Sequence, residues 1–133
     1  MALILMIEDQ PSNMKLGRYI LTAAGHEVIG ASEALEGITL AAARRPDLIL
    51  MDIQLPDVDG FEATRRLKMD SLTADIPVVA LTAYAMRDDK AKILSAGCDG
   101  YLAKPYRRAD LVEVVDRVLA RRGAASNANG RQP

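Results

Sequence analysis

The sequence predicts an α/β protein with one parallel sheet of five strands covered by helices on both faces. Short apolar runs alternate with longer amphipathic segments five times along the chain. Several runs are apolar throughout, which is typical of parallel strands buried on both faces. A (βα)5 alternation with short connections therefore predicts a doubly wound sheet. The predicted strands span residues 3–7, 28–31, 48–51, 78–81 and 101–103.

Helix signals lie between these runs. The first predicted helix spans about residues 11–24, and Gly25 follows it as a terminating residue. The second helix begins after Ser32, a favourable N-cap, and ends before Arg45-Pro46. The last spans about residues 107–122. One face of the first helix is predicted to carry Leu16, Ile20, Ala23 and Ala24. One face of the last is predicted to carry Leu111, Val115, Val118 and Leu119.

Composition and charge exclude several classes of protein. The formal net charge is −1, so no basic surface for nucleic acid is predicted. No apolar stretch approaches the roughly 20 residues that span a bilayer, and the N-terminus lacks a signal-peptide pattern. The single cysteine, Cys98, excludes an internal disulfide framework and is interpreted as a small buried residue. We therefore expect a cytoplasmic protein, as a monomer or weak dimer.

Polar residues follow four of the predicted strands. Glu8 and Asp9 follow the first strand, Asp52 the third and Lys104 the fifth, while Thr82 ends the fourth. In open α/β sheets, ligands bind beyond the carboxyl ends of the strands. We therefore expect these five side chains to form one site.

The charges at this edge predict a metal. Glu8, Asp9 and Asp52 bring three carboxylates together, and Lys104 offsets only one of them. A hard divalent ion with oxygen ligands, best Mg²⁺, balances the remainder. A carboxylate nucleophile, a metal, an ammonium and a hydroxyl are the groups that phosphoryl transfer requires.

The same residues belong to short motifs dispersed along the chain. These motifs are Ile7-Glu8-Asp9, Leu48-Ile49-Leu50-Met51-Asp52, Leu55-Pro56, Gly60, Leu81-Thr82-Ala83 and Lys104-Pro105. Together they resemble the receiver domain of response regulators over about residues 2–121. The resemblance implies the flavodoxin-like, CheY-like strand order 2-1-3-4-5. It places the receiver domain at residues 1–122, and the small, polar segment 123–133 is predicted to be a disordered tail.

The resemblance also implies a role for each site residue. Asp52 is the expected phosphoacceptor, and it takes a phosphoryl group from phosphohistidine on a sensor histidine kinase or histidine phosphotransferase. The expected ligands of Mg²⁺ are Asp9, Asp52, Glu8 through water and the backbone carbonyl of Gln54. Mn²⁺ can substitute for Mg²⁺ at this site. Lys104 is the expected phosphate partner.

A switch pair is implied as well. Thr82 and Tyr101 resemble the residues that couple phosphorylation to the face formed by the fourth helix, fifth strand and fifth helix. That face would then control a downstream protein. Pro105 is expected to follow a cis peptide bond. Tyr84 and Tyr106 flank this region as partner contacts or packing residues.

Three further motifs are Asn13-Met14-Lys15-Leu16, Met51-Asp52-Ile53-Gln54-Leu55-Pro56 and Ile76-Pro77-Val78-Val79-Ala80-Leu81-Thr82-Ala83. They resemble single-domain regulators of the DivK type, although receivers of hybrid histidine kinases share much of the same sequence. Two alternatives stay open: a receiver excised from such a kinase or from a larger regulator, and a receiver-like module that binds without phosphorylation. A flavodoxin-like electron carrier is disfavoured because Glu8-Asp9 would repel a cofactor phosphate. Haloacid-dehalogenase phosphatases place a second aspartate where this chain has Gln54, so a separate enzymatic activity is not expected.

Overall fold

Five strands and five helices alternate within the part of the chain that the computed structural model describes. It describes residues 1–83 and 87–130, without the side chains of residues 87–89 and 123–130. The elements are β1 Leu3–Ile7, α1 Pro11–Ala23, β2 Glu27–Ala31, α2 Ala34–Arg44, β3 Leu48–Asp52, α3 Gly60–Met69, β4 Val78–Thr82, α4 Arg87–Ala96, β5 Gly100–Ala103 and α5 Arg108–Gly130. None of the helices, as far as the structure describes them, is long and apolar enough to cross a membrane.

The strands form one parallel sheet in the order β2-β1-β3-β4-β5, which confirms the predicted topology. Its register aligns the carboxyl ends of the central strands. Ile7 at the end of β1 lies opposite Met51 of β3, and Asp52 lies opposite Leu81 of β4. Residues that follow these strands therefore emerge at the same edge.

The sheet separates two apolar clusters. Leu5 and Ile7 face the cluster shared with α2, α3 and α4, whereas Ile4 and Met6 face the cluster shared with α1 and α5. All four side chains are fully buried. Burial on both faces explains why this strand is apolar at every position.

Helix α1 buries a different face from the one predicted. Gly17, Ile20 and Leu21 point inward, whereas Leu16 is 47% exposed. Ala23 and Ala24 are also exposed, so of the predicted face only Ile20 is correct. The helix approaches the sheet through its glycine, because a Cβ on Gly17 would lie 2.5 Å from the Met6 side chain. An apolar count alone misses a face that is organised around a glycine.

The N-terminus of α2 is capped from outside the helix, so the prediction of Ser32 as its N-cap is wrong. Glu33 occupies the N-cap position without a side-chain hydrogen bond. Instead, the Asp57 carboxylate accepts hydrogen bonds of 2.9 Å each from the backbone N–H groups of Ala34 and Leu35. Because Asp57 lies in the loop after β3, this cap also ties that loop to α2.

Helix α5 buries Leu111, Val115 and Val118 as predicted, with Val114 added to the same face. Leu119 is half-buried and packs against this cluster. The helix continues to Gly130, and so its backbone includes part of the segment predicted to be a disordered tail. The domain boundary at residue 122 stays a prediction.

Candidate functional site

Backbone hydrogen bonds hold the residues just beyond two strands in line with the sheet. The N–H of Glu8 donates to the carbonyl of Ala31 at 2.9 Å, and the N–H of Lys104 donates to the carbonyl of Thr82 at 2.7 Å. Asp52 is itself the last residue of β3. The polar residues at these strand ends are therefore placed by the sheet ladder rather than by irregular loops.

Three carboxylates converge at this edge. Glu8, Asp9 and Asp52 each offer an oxygen atom, and these atoms all lie within 4.8 Å of one another. Glu8 is 1% and Asp52 is 5% exposed, whereas Asp9 is half-buried. Oxygen ligands at such spacing match what a hard divalent cation requires. The structure thus brings together the three acidic residues that the sequence singled out.

Lys104 reaches two of these carboxylates. Its Nζ atom lies 2.6 Å from Glu8 Oε1 and 3.3 Å from Asp52 Oδ2. The Lys104–Pro105 peptide bond is cis, as predicted. When all groups are ionised, three carboxylates and one ammonium give a formal charge of −2. That charge equals the one that a divalent cation would neutralise.

Burial and the neighbouring charges of the cluster shift the pKa of Glu8. Burial raises the pKa of Glu8, and the neighbouring Asp52 carboxylate raises it further. The hydrogen bonds from Lys104 and from the Gln10 N–H oppose this rise without cancelling it. A cation bound beside Glu8 would favour its ionised form.

Local contacts also orient Asp52. Its Oδ1 atom accepts a 3.0 Å hydrogen bond from the N–H of Gln54, while Oδ2 faces Lys104. The chain then folds closely back on itself at Gly60. A Cβ on Gly60 would lie 2.5 Å from the Asp52 carbonyl oxygen. Gly60 is thus required by this close approach.

Comparisons with known proteins agree with this geometry. The family model for the response regulator receiver domain matches residues 4–116. This chain belongs to the response regulator receiver family. The receiver is 44% identical over 116 residues to the polar-differentiation response regulator DivK of Brucella anthropi, covering 87% of this chain and 94% of DivK. This similarity confirms the predicted resemblance to receivers of the DivK type.

Solved structures give the same fold. The receiver domain of a sensor histidine kinase from Pseudomonas aeruginosa PAO1, with a magnesium ion coordinated in its active site cleft, is 35% identical. It has a TM-score of 0.84 and covers 90% of this chain and 98% of that one. The chemotaxis protein CheY4 of Vibrio cholerae is 30% identical, with a TM-score of 0.85 and coverages of 89% and 98%.

In this receiver, the predicted switch residues occupy neighbouring strands. Thr82 is buried at the end of β4, and Tyr101 of β5 is half-buried against the cluster beneath α3 and α4. The Lys90 ammonium lies over the Tyr101 ring, 5.4 Å from its centroid, a contact that the sequence did not indicate. Tyr84 lies outside the described residues.

The structure also shows the surroundings of Asp59, Cys98 and Tyr106. Asp59 caps α3 by accepting a 2.8 Å hydrogen bond from the N–H of Glu62. Cys98 is buried as predicted, and burial raises the pKa of its thiol to about 11. The Tyr106 hydroxyl is buried, and the charges of Glu8 and Asp52 raise its pKa beyond the effect of burial, which no sequence pattern indicated.

Proposed function

We propose that this receiver accepts a phosphoryl group on Asp52 from phosphohistidine, with Mg²⁺ at the acidic cluster, and thereby controls a partner protein. One observation carries the proposal. The buried Asp52 carboxylate lies between an N–H donor and the Lys104 ammonium, with the carboxylates of Glu8 and Asp9 beside it. This arrangement combines a positioned nucleophile with compensation for phosphoryl charge.

In the proposed reaction, an Asp52 carboxylate oxygen attacks the phosphorus atom of phosphohistidine. The P–N bond breaks, the imidazole leaves with its electron pair, and an acyl phosphate forms on Asp52. The bound cation would neutralise phosphoryl charge, and Asp9, Asp52, the Gln54 carbonyl and, through water, Glu8 would hold it. Lys104 would contact the phosphoryl oxygens as a point charge.

Phosphorylation would act through the switch pair. A new dianion at Asp52 would attract the Thr82 hydroxyl, and the Tyr101 ring would turn inward. Tyr101 lies opposite Ala80, two residues before Thr82 on β4, and this register supports the coupling. The remodelled surface of α4, β5 and α5 would then bind a downstream protein.

The proposed partners are a sensor histidine kinase or histidine phosphotransferase upstream and a protein target downstream. The net charge of −1 supports no role in binding nucleic acid. We place the protein in the cytoplasm, as a monomer or weak dimer. It would be a signalling phosphoacceptor that catalyses only its own phosphorylation and slow dephosphorylation.

Intact mass after incubation with acetyl phosphate tests the proposal. The wild-type protein should gain one phosphoryl group only when Mg²⁺ is present. Asp52→Asn should gain none, whereas Asp116→Asn, which changes an exposed aspartate on α5, should label normally. Labelling that persists in Asp52→Asn would overturn Asp52 as the acceptor. No labelling of the wild type would favour a module that binds without phosphorylation.

A further inference from the structure

Tyr106 buries a hydroxyl group that has no hydrogen-bond partner among the described residues. Its ring packs against the apolar cluster beneath α1 and α5. An unpaired buried hydroxyl costs stability, whereas phenylalanine would provide the same ring without that cost. Such a group requires an explanation, and one explanation is a partner that is gained in another state of the protein.

The hydroxyl lies against α1, on the side of the sheet that Met6 faces. Tyr106 follows Lys104 by two residues, and its Oη atom lies 3.4 Å from the position that a Cβ on Gly17 would occupy. Glycine at that position of α1 leaves space for the hydroxyl. Burial raises the pKa of Tyr106, and the Glu8 and Asp52 charges raise it further. The group therefore stays protonated and remains a hydrogen-bond donor.

Binding of a cation at the acidic cluster would change the hydrogen-bond partners of Glu8. In the structure, Glu8 Oε1 accepts from Lys104 and Glu8 Oε2 accepts from the N–H of Gln10 at 3.1 Å. A cation at the cluster would compete with Lys104 for the carboxylate oxygens. The Glu8 side chain is fully buried, so losing the ammonium would leave it in need of another donor.

We infer that Tyr106 is a positioning residue of the phosphorylation site. When Mg²⁺ occupies the cluster, the Tyr106 hydroxyl donates a hydrogen bond to the Glu8 carboxylate, directly or through one water molecule. This bond holds Glu8 in place beside the cation after Lys104 has left it. The inference rests on the proposed function, because it requires Mg²⁺ at the acidic cluster.

The test compares Mg²⁺ affinity in wild type and Tyr106→Phe, measured from the rise of Tm with Mg²⁺ concentration. One lost hydrogen bond should weaken Mg²⁺ binding by roughly three- to tenfold. In EDTA, the variant should be at least as stable as the wild type, because its unpaired hydroxyl is gone. A purely structural role would lower Tm equally with and without Mg²⁺. Tyr19→Phe is the matched control, since Tyr19 is 64% exposed on α1.

Tyrosine absorption provides a second measurement. Mg²⁺ should shift part of the tyrosine absorption to longer wavelength in the wild type and in Tyr19→Phe, but not in Tyr106→Phe. Equal Mg²⁺ affinity and equal spectra in all three proteins would overturn the inference while leaving the proposed function intact. A wild type that neither binds Mg²⁺ nor labels with acetyl phosphate would overturn both.

Discussion

Replacing Lys104 with methionine should destabilise the metal-free receiver in a manner that depends on pH. Methionine keeps most of the apolar stem but removes the ammonium that lies 2.6 Å from Glu8 Oε1 and 3.3 Å from Asp52 Oδ2. Breaking a buried ion pair by removing one partner costs about 3–5 kcal/mol. The Lys104 side chain is 17% exposed, so we expect the lower part of this range.

Protonation of Glu8 limits that loss. A carboxyl group with the ordinary pKa of 4.5 costs at most about 4 kcal/mol to neutralise at pH 7.5, and about 1.4 kcal/mol at pH 5.5. The pKa of Glu8 is already raised, so the actual costs are smaller. We therefore expect Lys104→Met to lose about 2–4 kcal/mol at pH 7.5 and about 1 kcal/mol at pH 5.5.

Urea denaturation in EDTA at the two pH values measures this difference. Lys92→Met is the control, because Lys92 is exposed on α4 and should change stability little at either pH. Added Mg²⁺ should recover part of the loss at pH 7.5, since a cation replaces the missing positive charge. An equal loss at both pH values would refute the electrostatic explanation and indicate lost packing of the lysine stem instead.

Three further predictions follow from single contacts. Because the folded pKa of Glu8 is raised, the metal-free wild type should lose stability relative to Glu8→Gln as pH rises above 4.5, and equal pH profiles in EDTA would contradict this. Asp57→Ala removes the cap of α2 and should cost about 1 kcal/mol, with amide exchange of Ala34 and Leu35 accelerated; unchanged exchange would argue against the cap. Cys98, buried with a thiol pKa of about 11, should resist alkylation at pH 8 until the protein is unfolded, and rapid alkylation of the native protein would show that the thiol is accessible.

The sequence by itself determined the sheet and the polar residues at the carboxyl ends of its strands. Strand β1 is apolar at every position because both of its faces are buried, and that pattern is recognisable in the sequence alone. Glu8 and Asp52 lie where apolar runs end, so parallel strands must bring them to one edge. These features depend on local periodicity and on the general geometry of parallel sheets.

Tertiary structure decided which groups contact one another. Lys104 lies closer to Glu8 than to Asp52. Asp57, which lies in the connection between β3 and α3, caps α2. Gly17 places this face of α1 against the sheet because it permits contact with Met6, and the nearby Tyr106 hydroxyl has no hydrogen-bond partner within the described part of the chain. Each of these contacts joins residues distant in sequence, and each depends on how closely two backbones approach. Hydrophobic periodicity specifies the faces of helices and strands, whereas the separation between packed elements emerges only when all side chains occupy space together.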